Sequence, residues 1–184
     1  MLYLSPNNSV VVLVDWQERL VSVMPAEIEA RNRAATRMLL QAAAEVEVPI
    51  IVSEQYPSGL GSIVADLLEV LPEGTQRHEK KVFSAAEVPG FQDELAQTGR
   101  SHVIVAGMEA HICVYQTVRA LREEGYSVHV PLNAVISRYK HDYIAAVGLY
   151  RHLGAATTSV ETVLFDWLRR AEGDSFKFIS QLIR

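Results

Sequence analysis

Residues 101–125 read SHVIVAGMEAHICVYQTVRALREEG, and two periodicities meet inside them. SHVIVAG is nearly all apolar and β-branched, the pattern of a strand buried on both faces. From Cys113 onward, CVYQTVRALREEG has the spacing of a helix and closes at Gly125, a helix stop. A buried strand running straight into a helix is half of a βαβ unit. The same succession recurs along the chain.

Strand-like runs lie at 9–15 (SVVVLVD), 48–54 (VPIIVSE), 126–132 (YSVHVPL) and 154–160 (GAATTSV), with a weaker candidate at 75–83 (TQRHEKKVF). Helical stretches separate them. Residues 25–47 begin at Pro25 and end before Pro49, Pro89 opens a helix that Gly99 closes, and 112–124, 140–153 and 160–173 end at Gly125, Gly154 and Gly173. A shorter helix is expected over SIVADLLEVL, residues 62–71. These elements predict an α/β fold: a doubly wound, Rossmann-like, six-stranded parallel sheet in the order 3-2-1-4-5-6, helices on both faces, and a single domain over 1–184. The closing segment DSFKFISQLIR is amphipathic and is expected to pack on the domain or on a partner subunit.

Composition narrows the function. The chain has 184 residues, 49% of them hydrophobic, and a formal charge of −5, which disfavours a nucleic-acid partner because that needs a basic face. Arg31, Arg33 and Arg37 have the spacing of a solvated helix face. One cysteine cannot form an internal disulfide. The opening residues lack a basic region and are broken at Ser5-Pro6-Asn7-Asn8, unlike a secretory signal, and no apolar run approaches the ~20 residues of a membrane span. The expectation is a cytoplasmic protein with a small-molecule partner and no membrane or nucleic acid.

In an open parallel sheet, ligands bind beyond the carboxyl ends of the strands where the strand order reverses. The first strand runs into Asp15 there, the fourth into Cys113, and the third delivers Lys80 and Lys81. Strands 1 and 4 are neighbours in the expected order, so Asp15 and Cys113 meet. A carboxylate can take the proton of a thiol, while a lysine and a helix N-terminus favour the thiolate. Taken singly, each group has an ordinary explanation: a turn-forming aspartate, solvated lysines, a core cysteine. Their conjunction points to nucleophilic catalysis.

These residues resemble the isochorismatase-like cysteine hydrolases, through VDWQ at 14–17, EKKVFSA at 79–85 and GMEAHICVYQT at 107–117. SEQYPSGLG (53–61) and SVETVLFDWL (159–168) further resemble the isochorismatase domain-containing subgroup. The resemblance implies a catalytic triad of Asp15, Lys80 and Cys113, with Phe83 and Ser84 selecting Lys80 over Lys81. It also implies a cis peptide between Met108 and Glu109, with the N–H groups of Glu109 and Cys113 forming an oxyanion hole. A homo-oligomer, dimer or larger, is expected on the same ground.

In that family, nicotinamidases hold a metal after the second strand with an aspartate and histidines. The loop SEQYPSGLG has neither, so no metal is expected, and nothing points to any other cofactor. The six histidines lack a recognisable ligand spacing. Gln17, Gln55, Tyr56 and Phe83 adjoin the motifs and are the substrate-binding candidates. The expected reaction is hydrolysis of a small-molecule amide or related C–N bond through a Cys113 thioester. The alternatives are vinyl ether hydrolysis led by Asp15, or a binding or assembly protein on the same fold.

Overall fold

The computed structural model describes residues 3–183. Its sheet is parallel throughout and has seven strands: β1 (Ser9–Val14), β2 (Ile50–Gln55), β3 (Arg77–Lys80), β4 (His102–Met108), β5 (Ser127–Pro131), β6 (Val135–Ile136) and β7 (Ala156–Thr158). The long order is β3-β2-β1-β4-β5-β7, the expected doubly wound arrangement. The expected count of six needs correcting. β5 pairs with β4 only over His102–Ile104, and the two-residue β6 takes up the remaining edge at Gly107 and Met108. A two-residue strand is too short to show a period.

Alternation along β1 explains the two layers. Val11 and Leu13 pack against α2 (Ala26–Glu45), α8 (Val160–Leu168) and α9 (Asp174–Leu182), through Leu39, Leu40, Val163 and Ile179. Val10, Val12 and Val14 face the opposite core, with α5 (Pro89–Gln97), α6 (Tyr115–Glu123) and α7 (Lys140–His152), through Phe91, Leu95, Val118 and Tyr150. Every β1 and β4 residue is buried, which accounts for their unbroken apolar runs.

Three helix expectations change. The run 62–71 forms helix only over Ala65–Leu68 (α4), after short turns at Glu18–Val21 (α1) and Pro57–Leu60 (α3). α8 stops at Leu168 because Arg169 turns left-handed (φ 61°), and Gly173 instead precedes α9. α9 packs on this chain, with Ile179 in the core and Ser175 Oγ donating to Glu45 Oε1 at 3.1 Å. The turn before α6 is a π-helix over Ala110–Val114, a form often found at functional sites.

One glycine sets the geometry of the rim. Gly107 has φ 147°, and a Cβ there would lie 2.1 Å from the Val14 carbonyl oxygen. Only glycine lets the ends of β1 and β4 approach this closely. That approach brings the residues following the two strands together.

Candidate active site

Asp15 is the first residue beyond β1, in a left-handed conformation (φ 53°) that aspartate tolerates better than most residues. Its carboxylate is wholly buried. Oδ1 accepts from Ser53 Oγ at 2.9 Å, and Oδ2 accepts from Lys80 Nζ at 2.7 Å. Lys80 ends β3 and is equally buried; its ammonium also donates to Gln55 Oε1 (2.7 Å) and to the Phe83 carbonyl (3.0 Å). Three strong acceptors use its three N–H groups. Lys81, one residue on, is exposed, so geometry distinguishes the two lysines.

Cys113 lies in the π-helical turn after β4 and is 6% exposed. Its thiol interacts with both members of the ion pair, and burial followed by the Asp15 charge pushes it up to about 12, against the lowering pull of Lys80. The sign is opposite to that of the stabilised thiolate expected from a nearby lysine and a helix N-terminus. Lys80 is already committed to Asp15, so the thiol meets a carboxylate more than a free cation. Burial pushes the Asp15 carboxyl above the ordinary carboxylate range, against the charge and hydrogen bond of Lys80 and the hydrogen bonds of Cys113 and Ser53. A raised carboxyl is the stronger proton acceptor. The arrangement is a thiol held toward its neutral form beside a buried carboxylate.

The Met108–Glu109 peptide is cis. The Glu109 carbonyl accepts from the Ile112 and Val114 N–H groups (3.1 and 3.2 Å), closing the turn that carries Cys113. Its side chain is buried, and Oε2 accepts from both the backbone N–H and Nε of Arg138 at 3.1 and 3.0 Å.

The four substrate-binding candidates separate by environment. Gln17 is fully buried; Nε2 donates to the Gln55 and Gly61 carbonyls (3.0 and 2.7 Å), and Oε1 accepts from the Gln55 N–H at 2.7 Å. Both its amide N–H groups are spent on backbone. Gln55 is held between Lys80 Nζ and the Lys81 carbonyl, to which Nε2 donates at 3.1 Å. Tyr56 and Phe83 are each about half exposed, 52% and 51%, while their backbones bond to Lys80. Sequence reading missed Ser53 and Arg138 as partners of the site. Ser53 left one signal, a hydroxyl inside an apolar buried strand.

Among the described residues, no group of three His, Cys, Asp or Glu side chains could hold a metal ion. No described helix is long and apolar enough to cross a membrane.

A doubly wound sheet carrying a carboxylate, an ammonium and a thiol at one strand rim defines the class, and comparison with known proteins identifies the family. A model of the isochorismatase domain matches residues 9–162, and the chain belongs to the isochorismatase family. It is 35% identical to the secreted isochorismatase effector Isc1 of Phytophthora sojae over 98% of this chain and 87% of that one. A Caenorhabditis elegans structure described as MAR1 ribonuclease is 35% identical and superposes with a TM-score of 0.92, covering 98% of this chain and 92% of that one. The YcaC gene product of Escherichia coli, described as an octameric hydrolase of unknown specificity, shares the fold: 21% identity, TM-score 0.91, coverage 99% and 91%.

Proposed function

We propose that residues 1–184 act as one metal-independent cysteine hydrolase domain, cleaving an amide or related C–N bond of a small molecule. The observation that carries this reading is the contact of the chain's one thiol with the buried Asp15–Lys80 pair. Asp15 takes the thiol proton as Cys113 Sγ attacks the carbonyl carbon, and Lys80 holds the carboxylate in place. The oxyanion is received by the N–H groups of Glu109 and Cys113. The C–N bond then breaks and the amine leaves with the proton from Asp15; water attacks the thioester with Asp15 again as base, the C–S bond breaks to release the acid, and the proton returns from Asp15 to Cys113 Sγ. Tyr56 and Phe83 offer apolar surface to the substrate, while Gln55 acts by positioning Lys80 and Gln17 by fixing the Gln55 backbone.

The relative described as a ribonuclease raises RNA as a substrate. The charge of −5 favours a small molecule over a polyanion. A cytoplasmic location and a closed homo-oligomer complete the proposal, the latter supported by the octameric YcaC protein.

The test is turnover of a panel of primary amides, N-carbamoyl compounds, a vinyl ether and single-stranded RNA, with intact-mass detection of an acyl adduct. The expected result is ammonia or amine release with an adduct on Cys113, both absent in Cys113→Ala. Turnover surviving in Cys113→Ala but lost in Asp15→Asn would overturn the thioester scheme in favour of chemistry led by Asp15.

A further inference from the structure

A cleft of about 550 Å3 opens where β6 leaves the sheet, between the first turns of α2 and α7. Its lining contains none of Asp15, Lys80 or Cys113. The volume lies within the range of small-molecule sites, and such sites are mostly apolar with a few fixed polar groups. Ile28, Leu132 and Tyr143 supply the accessible apolar walls, with the buried Val135 and Ile136 beneath them.

The walls are held in place without a ligand. Asn32 Nδ2 donates to the Val135 carbonyl and Tyr143 Oη donates to the Leu132 carbonyl, both at 2.8 Å. Ser137 Oγ, in the lining, is 2.9 Å from His111 Nδ1. A site preformed in this way loses little entropy on binding.

The charge of the cleft runs against that of the chain. With a net charge of −5 overall, the cleft has no acidic side chain in its lining; its charged members are Arg31 and Lys140. Both are exposed, and neither has a hydrogen-bond or ion-pair partner among the described residues. Two helices of 20 and 13 residues start here, and their N-cap residues Pro25 and Tyr139 provide no side-chain cap. Uncapped helix N-termini add positive potential. Two of the first-turn carboxylates are engaged with cations or histidines: Glu29 with Arg33, and Asp142 with His111 and His141. Glu27 is exposed and outside the lining.

We propose that this cleft binds a small amphipathic carboxylate. Its apolar body lies between Ile28, Leu132 and Tyr143, and its carboxylate sits at Arg31 and Lys140. The proposal goes beyond the hydrolase reading and does not depend on it.

The experiment is calorimetric titration of the full chain with 2-naphthoate, alongside the neutral 2-naphthalenemethanol and acetate, with light scattering at the same protein concentration. The expected result is saturable binding of 2-naphthoate, at least tenfold tighter than of the neutral isostere or acetate, and weakened by salt. Arg31→Gln with Lys140→Gln, two exposed positions, should lower the affinity at least tenfold and leave thermal unfolding unchanged. Equal binding of the neutral isostere would overturn the proposal, as would indifference to the double substitution. No binding in a chain whose self-association is abolished by Ile28→Asp would assign the face to a second copy, and no binding in a monomer would leave it without this ligand; either result also overturns it.

Discussion

Replacing Asp15 by asparagine should make Cys113 more reactive toward an alkylating agent while abolishing turnover. The thiol stands at about 12, and the Asp15 charge is the second cause of that rise after burial. At pH 8, a thiol at about 12 carries on the order of a thousandfold less thiolate than one near its ordinary value of about 9, and alkylation slows accordingly. Asp15→Asn removes the repelling carboxylate and frees Lys80 from its 2.7 Å partner, so both changes favour thiolate. One pKa unit is tenfold in thiolate at fixed pH, and the loss of a charge this close in a buried site is worth on the order of one to two units. Alkylation by iodoacetamide at pH 8, followed by intact mass, should therefore be about 10- to 100-fold faster in Asp15→Asn than in the wild type. Access to the sulfur is common to both proteins, so the ratio reports ionisation. An unchanged or slower rate in Asp15→Asn would refute the assignment of Asp15 as the carboxylate that holds the thiol neutral.

Two further outcomes follow from buried charge. Lys80→Met leaves the Asp15 carboxylate buried without its cation, since both side chains have zero exposure; the expected loss is about 3–5 kcal/mol at pH 7. Urea denaturation should show Asp15→Asn with Lys80→Met recovering much of that loss, and a double variant as unstable as Lys80→Met would contradict the pairing. His129 is held down at about 4 by burial and by the neighbouring His102. The unfolded chain titrates near 6.5 and so binds more protons between these values, which makes folding stability fall as pH drops from about 6.5 toward 4, by at most about 3 kcal/mol. His129→Gln should flatten that part of the profile; a wild-type stability indifferent to pH over the window would remove His129 from the account.

The fold was legible because its determinants are local and repeated. Val10 to Val14 declare a strand buried on both sides, and Pro25, Pro89, Gly125 and Gly154 punctuate the helices around it. The strand order then followed from a topology rule together with the resemblance. β6 escaped because Val135 and Ile136 are too few to show alternation, and their pairing with Gly107 and Met108 depends on β5 turning away from β4. The end of α8 escaped for a related reason. Arg169 adopts a left-handed conformation with no glycine to announce it.

Charge state was the hardest property to read, because it depends on how partners are shared. The sequence places Lys80, Asp15 and Cys113 at one rim, and a lysine near a cysteine suggests a stabilised thiolate. In three dimensions the three N–H groups of the ammonium go to Asp15, Gln55 and the Phe83 carbonyl, and Gln17 fixes the Gln55 backbone by accepting from its N–H. The thiol is left facing a carboxylate whose basicity burial has raised. The proposed mechanism needs no standing thiolate: in it the proton moves when the electrophile arrives, and a resting thiol at about 12 is protected from adventitious alkylation and oxidation. A substrate that orients its carbonyl against the Glu109 and Cys113 amides would supply the compensating charge stabilisation in the transition state. On this account Gln17 and Gln55 matter to the reaction without touching the substrate, because the acceptors they provide or order decide how much of the lysine charge the sulfur feels.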